Sequence, residues 1–134
     1  MKTTTARDIM SSKLIVAKES MNVEEALKLL VNNRITGLPV VNGQGQMIGI
    51  LSEYDIIARV GNHKSIDPDS FKGDLPYTKH VEAVDEDTTL EIILERFINL
   101  KVRRLPVLDK GGRLVGIISR RDVMKVLYYR AKVN

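Results

Sequence analysis

The chain has 134 residues, 43% of them hydrophobic but only 4% aromatic, with a formal charge of +4. That size suits one small domain or two mutually dependent halves around an aliphatic core of Leu, Ile and Val. With no cysteine there is no disulfide framework or thiolate chemistry, no apolar run approaches the roughly 18 residues of a membrane span, and the polar start MKTTTARDIM is not a secretory signal. A cytoplasmic protein is expected, and its basic balance favours anionic partners: nucleotides, RNA, DNA or an acidic protein.

In chain order, Thr5 to Met10 reads as a short helical turn and Leu14 to Ala17 as a brief buried strand. Asn22 opens a helix, with Glu25 three residues on as its capping-box partner. Val23, Ala26, Leu27, Leu30 and Val31 form its apolar stripe, and it ends near Asn33 or Arg34. Leu38 to Val41 and Met47 to Leu51 are strands joined through Asn42-Gly43-Gln44-Gly45, where Asn-Gly signals a hairpin because both residues tolerate positive φ. A helix follows from Ser52 or Glu53 to about Val60. Gly61 to Lys79, containing Asp67-Pro68 and Leu75-Pro76, reads as a polar connector with at most one turn of structure. A strand at Val81 to Val84 reopens the pattern, and Thr88 or Thr89 caps a helix bearing Leu90, Ile93, Leu94, Phe97 and Ile98. A second hairpin and a helix running toward Ala131 complete it.

The stretch from Leu38 to Asp55, LPVVNGQGQMIGILSEYD, recurs from Leu105 to Asp122 as LPVLDKGGRLVGIISRRD. Pro39 and Pro106, Gly49 and Gly116, Ser52 and Ser119, and Asp55 and Asp122 are each 67 residues apart, so the chain is a tandem repeat. Two copies are too few for a solenoid. The expected class is therefore α+β: two β-α-β-β-α repeats in a pseudo-twofold pair sharing one core, with small mixed sheets packed against helices. Residues 1–62 form the first repeat, 63–79 a linker and 80–134 the second. The lead-ins differ, Asp8-Ile9-Met10 in one copy against Leu75-Pro76-Tyr77 in the other.

Each copy carries Gly-x-x-Ser-x-x-Asp at a strand-to-helix junction. A Ser followed three residues later by an acid is capping-box chemistry at any helix start. The same carboxylate can accept hydrogen bonds from both hydroxyls of a ribose, while free amides at the helix start attract phosphate. Gly49 and Gly116 either relieve a crowded contact in the sheet or let a ligand approach the strand backbone. Gly43-x-Gly45 lies between hairpin strands, not between a strand and a crossover helix, so it is no dinucleotide fingerprint. No Walker A sequence is present. His63 and His80 are the two histidines, too few for a closed structural zinc site without cysteine; His80 stands beside the expected strand. Two scattered histidines support no Ser-His-Asp arrangement.

The duplicated set at one fixed spacing resembles a CBS-domain pair, the module named after cystathionine β-synthase, over nearly all of the chain except the linker and the last residues. The resemblance implies a non-catalytic, energy-sensing regulatory module that binds AMP, ADP or ATP in one or both clefts between the repeats and signals to a regulated protein partner. S-adenosylmethionine offers the same ribose, and no cofactor is required. By that resemblance Asp55 and Asp122 hold ribose, and Ser52 and Ser119 ribose or phosphate. Adenine lies against Ile15 and Val16 in one site and Ala83 and Val84 in the other, residues that read equally well as short core strands. Thr36 and Gly37 in one copy, and Arg103 and Arg104 in the other, precede the Leu-Pro pair and line the phosphate region, with Arg120 beside them. The arginine-rich second copy should favour the more highly charged nucleotide. Such modules commonly pair into homodimers through their helices, where Leu29 beside Leu30 widens the apolar face. Two other classes stay open: a nucleic-acid-binding protein using the basic second half, short of aromatics for base stacking, and a dimerisation module with empty sites.

Overall fold

The repeated sequence pattern builds the same elements twice. In the computed structural model, which describes residues 3–63, 65–79 and 82–133, a short helix α1 (Ala6–Ile9) comes first. It is followed by β1 (Ala17–Lys18), α2 (Val23–Asn33), β2 (Gly37–Val41), β3 (Met47–Ser52) and α3 (Glu53–Gly61). A single turn of 3-10 helix, Pro68–Phe71, marks the connector. The second set is β4 (Val84–Asp85), α4 (Leu90–Leu100), β5 (Arg104–Leu108), β6 (Leu114–Ser119) and α5 (Arg120–Val133). Each repeat is β-α-β-β-α, as the pattern predicts.

Local chemistry sets the ends of these elements. The Asn22 side chain accepts from the Glu25 amide at 2.9 Å, and the Glu25 carboxylate accepts from the Asn22 amide at 3.3 Å, which starts α2. Arg34 and Lys101, themselves 67 residues apart, end α2 and α4 in the left-handed region at φ 53° and 54°. The hairpins depart from expectation. Positive φ falls on Gly45 and Gly112, not on Asn42 and Gly43. Asn42 serves instead as an acceptor, its side-chain oxygen taking the Gln44 and Gln46 amides at 2.9 and 3.0 Å. Asp109 does the same for Gly111 and Arg113.

In each three-stranded sheet the short first strand runs parallel to the second, and the second and third are antiparallel. Equivalent residues face each other in both: Val40 opposite Gly49 and Val107 opposite Gly116, Gly37 opposite Ser52 and Arg104 opposite Ser119. The first strands are shorter than expected and begin later. Ile15 and Val16 precede β1, and Ala83 precedes β4; the expected start at Val81, and His80, lie outside the described residues.

Contacts divide the chain into two units, Ile15–Val81 and Met1–Leu14 with Glu82–Asn134. This grouping cuts across the repeats. The lead-in of the first repeat packs on elements of the second, where the Ser11 amide donates to the Ile117 carbonyl at 2.9 Å and the Ile117 amide returns the bond at 3.0 Å. Ala6 and Ile9 are buried there among Leu90, Ile93, Leu105, Val107 and Ile118. The end of the connector pairs in the same way with β3, Thr78 exchanging bonds with Ile50 at 2.8 and 2.9 Å. Leu75 and the connector's Phe71 join a core of Ala17, Val23, Leu30, Leu38 and Leu51. Among the described residues each unit thus has its own buried cluster. In each unit the third strand is an edge of its sheet, and a lead-in pairs with backbone groups along it.

Candidate functional site

In each unit an antiparallel strand runs directly into a helix with no intervening loop. β3 ends at Ser52 and α3 starts at Glu53; β6 ends at Ser119 and α5 starts at Arg120. The first amides of a helix have no partner within it, and Ser and Asp supply one. The Ser52 amide donates to Asp55 Oδ2 at 2.8 Å, and the Asp55 amide donates to Ser52 Oγ at 3.2 Å. At the second junction the matching bonds, Ser119 amide to Asp122 Oδ2 and Asp122 amide to Ser119 Oγ, are 2.8 and 3.1 Å. All four side chains are half-buried.

This capping uses only part of what the side chains offer. Each carboxylate commits Oδ2, and its Oδ1 has no hydrogen-bonding partner among the described residues. Each Ser Oγ accepts an amide and keeps its own hydroxyl proton to donate. A free carboxylate oxygen beside a free hydroxyl proton, at the positive end of a helix, can accept from one polar hydroxyl and donate to another. Capping therefore leaves these residues able to meet a polar ligand as well.

The neighbours differ between the copies. Gly37 stands directly across from Ser52, whereas Arg104 stands across from Ser119. The Glu53 amide donates to the Thr36 carbonyl at 3.0 Å, and the Arg120 amide to the Arg103 carbonyl at 3.1 Å, fastening each helix start to the segment before the preceding strand. Arg120 also donates from Nε to the Val102 carbonyl at 2.9 Å. Arg103, Arg104 and Arg120 are exposed and form no salt bridge among the described residues.

The model for the CBS domain matches residues 6–62 and again residues 73–129. The chain belongs to the CBS-domain family. It is 36% identical to the CBS domain-containing protein CBSX1, chloroplastic, of Arabidopsis thaliana, over 90% of this chain and 63% of CBSX1. CBSX2 of the same plant is 32% identical, and the chain spans 62% of it, under two thirds of either curated relative. The crystal structure of CBSX2 in complex with AMP superposes with a TM-score of 0.79, covering 96% of this chain and 98% of that one at 32% identity. The CBS domain pair of protein MJ0100, in complex with 5'-methylthioadenosine and S-adenosyl-L-methionine, gives a TM-score of 0.72 at 25% identity, covering 92% of this chain and 99% of that one.

Within the CBS repeats, two sequence assignments need correction. Val84 is not free to wall an adenine slot, because its side chain is buried in the core with Leu105 and Val107. Its counterpart at the 67-residue offset is Ala17, also buried, and their partners Val107 and Val40 keep the same offset. The half-buried residues just ahead of the first strands are Ile15 and Val16 in one copy and Glu82 and Ala83 in the other. The second correction concerns the glycines. A Cβ on Gly49 would lie 2.5 Å from the Thr78 carbonyl oxygen and against the Tyr77 ring, and one on Gly116 would lie 2.7 Å from Met10 Cγ. Close approach there is by the chain's own lead-ins, not by a ligand. Met10 and Tyr77, aligned by the 67-residue offset, occupy equivalent places against the two glycines. Among the described residues no cluster of His, Asp and Glu could hold a metal ion, and no helix is long and apolar enough to cross a membrane.

Proposed function

We propose that the chain is a regulatory module that binds an adenosine-containing ligand at one or both of its strand-to-helix junctions. The ligand class is AMP, ADP or ATP, with S-adenosylmethionine presenting the same ribose. Asp55 and Asp122 accept from ribose hydroxyls through the oxygen that capping leaves free, and Ser52 and Ser119 donate to ribose or phosphate. The observation that carries this is the pair of half-committed Ser/Asp caps, repeated in register. Related CBS pairs have been solved with AMP and with S-adenosylmethionine. Ile15, Val16 and Ala83, half-buried just ahead of the first strands, are the apolar contacts offered to adenine.

Recognition of this kind makes and breaks no bonds, so the module acts on a regulated protein partner through a ligand that binds one conformation better than another. A helix-faced homodimer belongs to the same proposal. Exposed apolar residues recur at equivalent helix positions, Val31 with Ile98 and Ile57 with Met124. A cytoplasmic location is kept within it, although CBSX1 and CBSX2 are chloroplastic by name.

A thermal-shift panel of AMP, ADP, ATP, S-adenosylmethionine and GTP tests the proposal. Ligand at a hundredfold its dissociation constant should add about 2.7 kcal/mol of stability. Asp55→Asn and Asp122→Asn keep an oxygen to accept the Ser amide, so both should fold and lose the response of their own junction. If both variants respond like the wild type, the ribose assignment is wrong.

A further inference from the structure

We infer that the two junctions sort ligands by phosphate charge: the one at Ser119 and Asp122 takes adenosine polyphosphates, and the one at Ser52 and Asp55 takes an adenosine compound without phosphate. This rests on the adenosine reading and goes further by assigning a ligand class to each junction. The register supplies the main argument. Directly opposed residues of an antiparallel pair project from the same face, with Cβ atoms roughly 5 Å apart. Arg104 therefore rises beside the Ser119 hydroxyl, while Gly37 leaves that place bare beside Ser52.

The helix starts reinforce the contrast. The first residue of α5 is Arg120, whose Nε is held by the Val102 carbonyl at 2.9 Å while its amide bonds the Arg103 carbonyl. Its terminal nitrogens have no hydrogen-bonding partner among the described residues, and its amide ties it to Arg103. The equivalent residue of α3 is Glu53, whose amide bonds the Thr36 carbonyl. A triphosphate at the first junction would meet that carboxylate where the second junction offers a guanidinium. Glu82, where the first copy has Ile15, sets an acid against this contrast, but it stands ahead of β4 and not at the helix start. Arg34 lines a groove of about 430 Å³ with Thr36 and Glu53, but Lys101 holds the matching left-handed position in the second copy. These two cations cancel in the comparison. Arg121, against Tyr54 in the first copy, adds to the second.

Full-length Asp55→Asn and Asp122→Asn proteins isolate the two junctions, and calorimetric titration with ATP and with adenosine reads their preference. Asp55→Asn, which keeps the second junction, should bind ATP at least about tenfold more tightly than adenosine, a preference that shrinks as salt is raised. Asp122→Asn should bind adenosine and gain nothing from the triphosphate. Adding Arg104→Gln to Asp55→Asn should weaken ATP about tenfold, the scale of one charge-assisted hydrogen bond, while adenosine binding stays unchanged. That unchanged binding shows the fold is intact. Equal ATP-to-adenosine ratios at both junctions, or a triphosphate preference at the first, overturn the inference and leave the adenosine reading standing. If the wild type binds neither compound, both fall together.

Discussion

Gly49 and Gly116 hold the same place in the two sheets, yet their neighbours differ in how far they can yield. A methyl group at Gly116 meets the Met10 side chain, whose Sδ and Cγ can rotate away while its Cβ, 2.9 Å off, moves only with the backbone. One at Gly49 meets the Thr78 carbonyl, fixed by its bond from the Ile50 amide, and the flat ring of Tyr77. Gly49→Ala should therefore cost about 3 kcal/mol and Gly116→Ala about 1 kcal/mol, within the range for overpacking. Urea unfolding of the two variants checks the order, and equal losses would show that the lead-ins adjust as easily in both units. At the junctions, Ser119→Ala removes the oxygen that accepts the Asp122 amide. It should lower stability by about 1 kcal/mol, the usual value of such a cap, as well as weakening the ligand response.

At the scale of elements, the exchange of lead-ins predicts where damage is felt. Ile9 belongs in sequence to the first repeat but is buried beside Ile93 and Ile118 of the second. Ile9→Ala should destabilise by roughly 2–4 kcal/mol, and hydrogen exchange should quicken at Ile117 and Ile118 before it does at Ile50 and Leu51. The reverse order would mean that each lead-in serves its own repeat. The connector carries a titratable device. The Asp67 carboxyl is held below its ordinary value of 3.8, first by the Ser65 hydroxyl and then by the Asp69 and Ser70 amides. A depressed carboxylate contributes its stabilisation fully above the ordinary value and loses it as pH falls through the lowered one. Ser65→Ala should thus raise the Asp67 midpoint toward 3.8 in an NMR titration. The turn at Pro68–Phe71 then loosens at a higher pH than in the wild type.

For the molecule as a whole, the exposed apolar residues of α2, α3, α4 and α5 carry the prediction. Ile57 and Met124 are 69% and 56% exposed on equivalent helices, too open for residues whose only task is a core. Ile57→Glu with Met124→Glu should convert a dimer to a monomer in light scattering while leaving the Ser/Asp junctions intact. A wild type already monomeric at high concentration would remove the dimer from the proposal.

The order of elements and the helix starts at Asn22, Ser52 and Ser119 were legible in the sequence, because each depends on residues a few positions apart, and the repeat was legible from its fixed offset. Asn22 with Glu25 and Ser52 with Asp55 carry their own partners, and the 67-residue offset exposes every equivalence inside the hairpins. The offset also pairs Val84 with Ala17, and both side chains are buried. Tertiary structure alone decided what pairs over distance. Which sheet accepts Met10 and Ser11 and why Gly49 must lack a side chain both follow from the exchange of lead-ins. An extended lead-in offers the same amides and carbonyls to either sheet edge, so its local pattern is the same whichever it joins. Only the completed packing of Ala6 and Ile9 on one side, and Leu75 and Tyr77 on the other, separates the two outcomes.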